Sequence, residues 1–324
     1  MKPSRILDGD QRERHFIRQL HVAAVMLALF CLSLAANAQA NHPLRVVSLT
    51  APAAELMYTL GAEDELVGVS DSCVFPDRIM DDRKSGRVRV VGGFINIDIS
   101  VVESLKPNLI ITSTSLQVKL AQELRAKGYQ VLHVDPNGLE DIFSSFEQIG
   151  EAIGKGTQAK KITAEMRSDL RAIEAKSHSL PPVRVYVELN HEGPWTTGGS
   201  SFVNDAIRAA GGRNVFGEDS RGILQTTNDE IRKRDPEVIL SPIWRDAKIG
   251  GIDGITTIAE ITSRPGFTQI KAVRNSRVLY YDSALLKHGG PREVLAIRKL
   301  AHLLHPNEFS DPPDTIPWEL GRIQ

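Results

Sequence analysis

The sequence predicts an α/β fold with two lobes, each holding a mostly parallel sheet flanked by helices, joined by one long helix. Two stretches, 103–113 and 230–241, follow the same plan. In each, a short helical segment ends before a proline, Pro107 or Pro236, and a β-branched apolar run follows. Proline disfavours the helical conformation in the residue before it, and such runs are typical of strands buried on both faces. Residues 158–176, between the two halves, contain no helix breaker and predict the joining helix.

Each half alternates predicted strands and helices, which favours parallel sheets. In the first half we predict strands at 44–49, 66–70, 109–112 and 130–134, and helices at 53–60 and 116–127. In the second half we predict strands at 183–189, 237–240 and 277–281, and helices at 201–210, 227–234 and 292–304. On the joining helix, Ile162, Met166, Leu170 and Ile173 recur at helical spacing and predict one apolar stripe.

The N-terminal 40 residues predict a secretory signal peptide. Five basic residues precede an apolar run at 22–36, and Ala38-Gln39-Ala40 has the small-residue pattern of a cleavage site. A membrane anchor is the alternative, but the run is shorter than the roughly 20 apolar residues that span a bilayer. We therefore expect export to the periplasm. The expected organisation is a signal peptide at 1–40, an N-terminal lobe at 44–152, a linking helix at 153–180, a C-terminal lobe at 183–306 and a Pro-rich tail at 307–324.

Composition excludes several classes of protein. The chain has 324 residues, 41% hydrophobic and 24% charged, which is typical of globular proteins and not of disordered or fibrous ones. Its formal net charge of −1 gives no basic surface for nucleic acid. After removal of the signal peptide only Cys73 remains, so no intramolecular disulfide is available to stabilise the protein.

The candidate binding residues lie in loops that follow the predicted strands. Ligands of open α/β sheets bind at the carboxyl ends of the strands, and two such edges define a cleft between the lobes. Trp195 and Trp244 can present flat apolar faces, Arg245 and Arg292 can pair with anionic groups, and His288 lies in a Gly-rich loop. The other predicted ligand contacts are Ser72, Cys73, Phe94 and Ser113.

These segments resemble the periplasmic substrate-binding proteins of ABC importers for iron chelates and vitamin B12. The resemblance rests on the order and spacing of motifs between residues 44 and 306. These are 45–55, 66–76, 105–111, 194–202, 210–216, 264–267 and 290–292. It implies a class III binding-protein fold and a metal chelate, either a ferric siderophore, haem or a corrinoid such as cobalamin, held in the cleft. Where the cobalamin branch cradles its ligand with aromatic residues, this chain has Gly92, Ser113 and a residue near Ile223.

The resemblance also implies a membrane partner. The family presents one acidic residue on each lobe to the permease of the importer, and Asp98 falls on the first of these positions. The second falls at Ser200, which is uncharged, with Asp205 one helical turn further on. Asp98 also lies where a helix N-cap is expected. We expect a monomer that binds a small-molecule chelate and a permease, with no resident cofactor, no metal site of its own and no catalysed reaction.

Two alternatives remain open from the residues alone. A secreted hydrolase-type enzyme would use the same cleft and would need a nucleophile such as Cys73 or Ser200 bonded to a histidine such as His133. A scaffold protein would fill the cleft with its own side chains. His191 and His288 are candidate metal ligands, but a zinc or manganese site needs three or four converging ligands, and the histidines do not cluster in the sequence.

Overall fold

The computed structural model describes residues 43–189, 193–243 and 256–312. It confirms the predicted fold class: one lobe carries a five-stranded parallel sheet, the other a four-stranded parallel sheet, and a helix of 22 residues connects them. The predicted signal peptide and most of the predicted tail lie outside the described residues, as do Trp244, Arg245 and His191. None of the helices in the described ranges is both long enough and apolar enough to cross a bilayer.

The N-terminal sheet has the strand order β3-β2-β1-β4-β5, with every pair parallel. Its buried side chains, among them Val47, Ile110 and Leu124, form the core of this lobe. The strands are β1 (Val46–Ser48), β2 (Leu66–Val69), β3 (Arg89–Val90), β4 (Leu109–Ser113) and β5 (Val131–Val134). The helices are α1 (Ala51–Thr59), α2 (Asp77–Lys84), α3 (Ile99–Ser104), α4 (Val118–Ala126) and α5 (Leu139–Ala152), with 3-10 turns at Glu63–Glu65 and Ser115–Gln117.

The linking helix α6 (Gly156–Ser177) packs against α5 and against the last helix of the chain. Ile162, Met166, Leu170 and Ile173 are all buried, as the apolar stripe predicts. Because one helix contacts elements of both lobes, it serves as a rigid strut between them.

The C-terminal sheet has the strand order β11-β10-β6-β8 and is also parallel, and a small antiparallel pair, β7-β9, is separate from it. Tyr186, Phe216, Ile239 and Phe267 lie in its core. The strands are β6 (Val183–Val187), β7 (Trp195–Thr197), β8 (Gly212–Asn214), β9 (Ile223–Gln225), β10 (Val238–Ile243) and β11 (Val278–Asp282). The helices are α7 (Phe202–Ala209), α8 (Asn228–Arg234), α9 (Ile258–Ser263), α10 (Lys271–Arg274), α11 (Ser283–Lys287) and α12 (Glu293–Leu304), with a 3-10 turn at Phe267–Gln269.

The predicted strand after each proline is present, as β4 and β10. The N-cap predicted at Asp98 is present, since its carboxylate accepts hydrogen bonds from the backbone of Ser100 and Val101; the Ser201 hydroxyl likewise accepts one from Val203 at the start of α7. Helix α2 was not expected, because its mean composition is strongly polar and only Ile79 is buried. Helix α11 was not among the predicted helices; it begins directly after β11, where Asp282 caps its first turn.

Candidate ligand-binding site

The carboxyl ends of the N-terminal strands are held together by one side chain, Gln117. Its amide oxygen accepts a hydrogen bond from the Ser113 backbone N–H (2.8 Å), and its amide nitrogen donates to the carbonyls of Leu49 (3.0 Å) and Phe94 (2.7 Å). The side chain is 1% exposed. A buried amide with its partners in place fixes the loops it joins. Gln117 therefore sets the geometry of the loops that follow β1, β3 and β4.

Thr114, directly after β4, has a strained backbone. Its φ of 62° and ψ of 160° lie in a region used almost only by glycine, at a cost of about 1–3 kcal/mol. Its backbone N–H donates to the Val134 carbonyl (3.0 Å), and its buried hydroxyl has no hydrogen-bond partner among the described residues. Strain of this kind concentrates at binding sites, where the surrounding structure enforces it.

Exposed aliphatic side chains lie on these loops. Ile95 is 61% exposed and Leu116 is 64% exposed. Ile95 follows Phe94, whose carbonyl accepts a hydrogen bond from Gln117, and Leu116 directly precedes Gln117. On the C-terminal lobe, Ile223 is 63% exposed on β9, which pairs with β7. The β7 strand follows the carboxyl end of β6, and the Leu189 backbone N–H donates to the Trp195 carbonyl (2.8 Å). Each lobe therefore presents apolar surface at the carboxyl edge of its sheet.

The two carboxyl edges meet through a buried ion pair. Glu55, on α1 after β1, accepts hydrogen bonds from Arg292 Nε (2.9 Å) and Nη2 (3.0 Å), and Arg292 lies in the segment after β11. Their side chains are 8% and 10% exposed. The Arg292 guanidinium also lies 3.5 Å from the centroid of the Phe75 ring. Arg292 thus contacts two elements of the opposite lobe.

The predicted ligand residues Ser72 and Cys73 lie in the loop after β2. The Ser70 hydroxyl is 2.9 Å from the Ser72 hydroxyl and 3.4 Å from the Cys73 sulfur. Cys73 is completely buried, and burial raises the pKa of its thiol to about 11. The thiol therefore stays protonated at neutral pH and lies beneath the surface. His133, the base required by the hydrolase alternative, pairs with Thr112 on the neighbouring strand (2.9 Å).

Other predicted ligand residues occupy different surroundings. Ser113 is 6% exposed at the end of β4, Phe94 is half-buried, and Trp195 is half-buried at the start of β7. Burial lowers the pKa of His288 to about 4, with Lys287 and Arg292 adding to the effect, so its imidazole is neutral at pH 7. Burial also lowers the pKa of Lys287 to about 8, and its ammonium donates to the Leu189 carbonyl (3.2 Å). Within the described ranges, no three His, Cys, Asp or Glu side chains converge as a metal site.

The two predicted docking carboxylates differ in their contacts. Asp98 is exposed, and hydrogen bonds from Ser100 and Val101 lower the pKa of its carboxyl. Asp205 accepts from the Leu139 backbone N–H at the start of α5 (3.4 Å) and lies 3.4 Å from the Arg208 guanidinium. Asp98 is therefore accessible to a partner, whereas Asp205 bridges two helices.

A second buried acid, Glu188, was not among the predicted site residues. It follows β6, is fully buried, and accepts a hydrogen bond from Arg264 Nη1 (2.8 Å), 76 residues away. The Tyr186 hydroxyl also donates to it (3.1 Å). An acidic residue directly after a buried apolar strand was the available signal, because such a carboxylate must find a cationic partner.

Residues 46–285 match the family described as periplasmic binding protein. The chain belongs to this family. It is 28% identical over 279 residues to an uncharacterised ABC transporter substrate-binding lipoprotein, YvrC, of Bacillus subtilis, with 84% of this chain and 83% of that protein covered. It is 27% identical over 260 residues to a vitamin B12-binding protein of Vibrio parahaemolyticus, covering 80% and 88%.

A solved structure has the same fold. The periplasmic haem-binding protein RhuT of Roseiflexus, in its apo form, superposes with a TM-score of 0.69 at 20% identity, covering 82% of this chain and 99% of that one. At this identity the likeness concerns the fold. The family and the relatives named here are binding proteins, and they give no support to the hydrolase alternative.

Proposed function

We propose that this protein captures a tetrapyrrole-type metal chelate between its lobes and delivers it to an ABC importer. Of the two chelates of this type, a corrinoid is the preferred ligand and haem the second choice. The observation that carries the proposal is the meeting of two carboxyl edges, each with an exposed aliphatic side chain, in a chain of the periplasmic binding protein family. Exposed apolar residues beside convergent polar groups are typical of a site for a large, partly apolar ligand. Relatives named vitamin B12-binding proteins support this ligand class.

The charges at the described edges favour a corrinoid over an anionic chelate. Arg292 is already paired with Glu55, and Lys287 donates to the Leu189 carbonyl. A haem with ionised propionates or a catecholate siderophore needs cations that are available to it, and separating Arg292 from Glu55 would leave a buried carboxylate without its partner. A corrinoid with an amide periphery makes no such demand. Aliphatic contacts from Ile95, Leu116 and Ile223 would take the place of an aromatic cradle.

A fluorescence titration tests the ligand. The chain has three tryptophans, and quenching is followed as cyanocobalamin, haemin or a ferric siderophore is added to the purified mature protein. We expect saturable one-to-one binding, tightest for the corrinoid. Leu116→Asp and Ile223→Asp should each weaken binding tenfold or more, because a carboxylate facing an apolar ligand loses its hydration. Tyr280→Ser is the control for the loss of exposed apolar surface, since Tyr280 is 41% exposed on β11, an edge strand of the C-terminal sheet.

The outcomes separate clearly. Binding of haemin or a siderophore with no response to cyanocobalamin would contradict the corrinoid and keep the transport role. No response to any of the three ligands would contradict the ligand class. If the Leu116 and Ile223 variants bound as tightly as the control, the ligand would not contact the aliphatic side chains.

We also propose that the mature chain acts in the periplasm after export and that Asp98 is its principal contact with the permease. Asp98 is exposed and ionised, while Asp205 is engaged by Leu139 and Arg208. Asp98→Asn should weaken co-purification with the cognate permease while leaving ligand binding unchanged, because the carboxylate lies on the surface. An equal loss in the control variant Asp77→Asn, at the start of the exposed α2, would show a general charge effect instead.

A further inference from the structure

The most unusual buried group outside the proposed ligand contacts is Glu293, the first residue of α12. Its side chain is completely buried. Neither carboxylate oxygen has a hydrogen-bond partner of good geometry among the described residues, although the Gly289 backbone lies close enough to favour the ionised form. An isolated carboxylate in such surroundings is costly, and the usual outcome is that the group keeps its proton.

Glu293 lies beside the buried ion pair of Glu55 and Arg292, which joins the two lobes. It neighbours Arg292 along the chain, and the charge of Glu55 acts on it directly. Gly290 brings the backbone close to this pair, because a Cβ there would lie 3.3 Å from Glu55 Oε2. A second buried carboxylate, Glu293, therefore lies close to the Glu55–Arg292 pair.

One cation balances one carboxylate, so the second must be neutral or the site carries a buried net charge. Burial, and then the charge of Glu55, raise the pKa of Glu293 well above its ordinary value. The start of a helix favours a negative charge and opposes this shift. Because no hydrogen-bond donor of good geometry reaches the carboxylate among the described residues, burial affects the pKa of Glu293 more strongly than the helix start does.

We propose that Glu55, Arg292 and Glu293 form a clamp that fixes the spacing of the two lobes, and that a proton held by Glu293 in the folded protein keeps the clamp closed. In this proposal all three are positioning residues, and Arg292 acts on the ligand through the lobes. Loss of the proton places a second negative charge beside Glu55, so that the carboxylates repel each other and compete for Arg292. The clamp is a property of the ligand-free chain and does not depend on which ligand the protein binds.

Other titratable groups lie around the clamp and must be separated from it. Among the described residues these are Asp282, Lys287 and His288, from the end of β11 and from α11. His288 is neutral above a pH of about 4, whereas Lys287 changes its charge near a pH of about 8. Because they are the same in the wild type and in a Glu293 variant, comparing the two cancels their contribution.

The test is urea unfolding of the mature chain at pH values from 5 to 8, for wild type and Glu293→Gln. The unfolded chain releases the Glu293 proton above its ordinary pKa of 4.5, while the folded chain retains it, so folding takes up one proton. Stability contributed by this proton is complete below pH 4.5 and declines as pH rises towards the folded-state pKa. The ratio of the unfolding constants, wild type over Glu293→Gln, should therefore rise about tenfold per pH unit.

A ratio that stays flat between pH 5 and 8 would overturn the proton on Glu293. Glu218→Gln is the matched control: Glu218 is 91% exposed, and its variant should unfold with the same pH dependence as wild type. If Glu293→Gln does not fold, infrared spectroscopy of the wild type replaces it. The carbonyl stretch of a protonated carboxylic acid should then be present at pH 7, and its absence would overturn the proposal.

The clamp itself is tested by the distance between the lobes in the ligand-free protein. Spin labels on Lys119→Cys and Glu218→Cys, which are exposed on opposite lobes, report it by pulsed electron resonance. At neutral pH the distance distribution should be narrow. Raising the pH should broaden it in wild type and leave it unchanged in Glu293→Gln, whose amide cannot ionise. Equal behaviour of the two proteins would overturn the proton as the element that keeps the clamp closed.

Discussion

Two buried Glu–Arg pairs in this protein have the same chemistry and different surroundings. Glu188 and Arg264 lie within the C-terminal lobe, where the Tyr186 hydroxyl also donates to the carboxylate. Glu55 and Arg292 lie between the lobes, where a second buried carboxylate, Glu293, is close to the pair. The carboxylate of Glu188 has its hydrogen-bond donors within one lobe. The Glu55–Arg292 pair depends, in our proposal, on the proton of Glu293, so it is the pair whose strength should change with pH.

The comparison also shows what a buried ion pair contributes. Removing two charges from water offsets most of their mutual attraction, so the presence of a pair is weak evidence of net stability. Removing one partner is different, because it leaves a buried charge alone. Substitutions of single partners therefore separate the pairs best.

The largest effect is expected for Arg264→Ala. Glu188 is completely buried, and Arg264 is the cation that neutralises it. We expect a loss of about 3–5 kcal/mol in the free energy of unfolding, measured with urea at pH 7. Arg213→Ala is the control, because its partner Glu218 is 91% exposed and surface pairs contribute about 0–1 kcal/mol. Equal losses for the two variants would contradict the structural role of the Glu188 pair.

The fold was predictable because its signals are local. Pro107 and Pro236 mark the starts of β4 and β10, and the apolar stripe on α6 follows from helical spacing alone. Helix α2 was not predicted, because only Ile79 on it is buried and its sequence therefore shows no apolar periodicity. Pattern reasoning therefore works where burial imposes a period and fails where a helix lies on the surface.

The candidate site was predicted only as a set of loops. Arg292 follows the last strand of the C-terminal sheet, but its partner Glu55 is 237 residues away, and nothing in the sequence pairs them. In the same way, nothing in the sequence pairs Gln117 with Leu49, whose carbonyl accepts its hydrogen bond from 68 residues away. Which buried polar groups meet depends on how the two lobes pack, and this information is spread over the whole chain.

A smaller and pH-dependent effect is expected for Arg292→Ala. The substitution leaves Glu55 without its cation, and we expect a loss of about 3 kcal/mol at pH 7. A buried carboxylate without a partner binds a proton more readily, so the folded variant takes up a proton that the unfolded chain releases. The loss should therefore shrink as the pH falls towards 5. Urea unfolding at pH 5 and 7 measures this.

Arg264→Ala supplies the reference for this pH dependence, since each of the two variants removes the arginine that pairs with a buried carboxylate. Glu188 keeps the Tyr186 hydrogen bond, which favours its ionised form, so its loss should shrink less over the same pH range. If both losses changed equally with pH, the Tyr186 contact would not distinguish the pairs.

A smaller effect than for either arginine variant is expected for Tyr186→Phe, which removes the hydrogen bond that distinguishes the Glu188 pair. Burial, followed by the charge of Glu188, raises the pKa of Tyr186 well above its usual value, so the hydroxyl is protonated and donates at all physiological pH values. A hydrogen bond to a charged group contributes about 1.5–3 kcal/mol, and the 3.1 Å separation favours the lower end. Tyr281→Phe removes a bond to the neutral Glu188 carbonyl (3.2 Å) and should cost about 1 kcal/mol. A larger loss for Tyr281→Phe would place the stabilising contact on the backbone of Glu188 and not on its carboxylate.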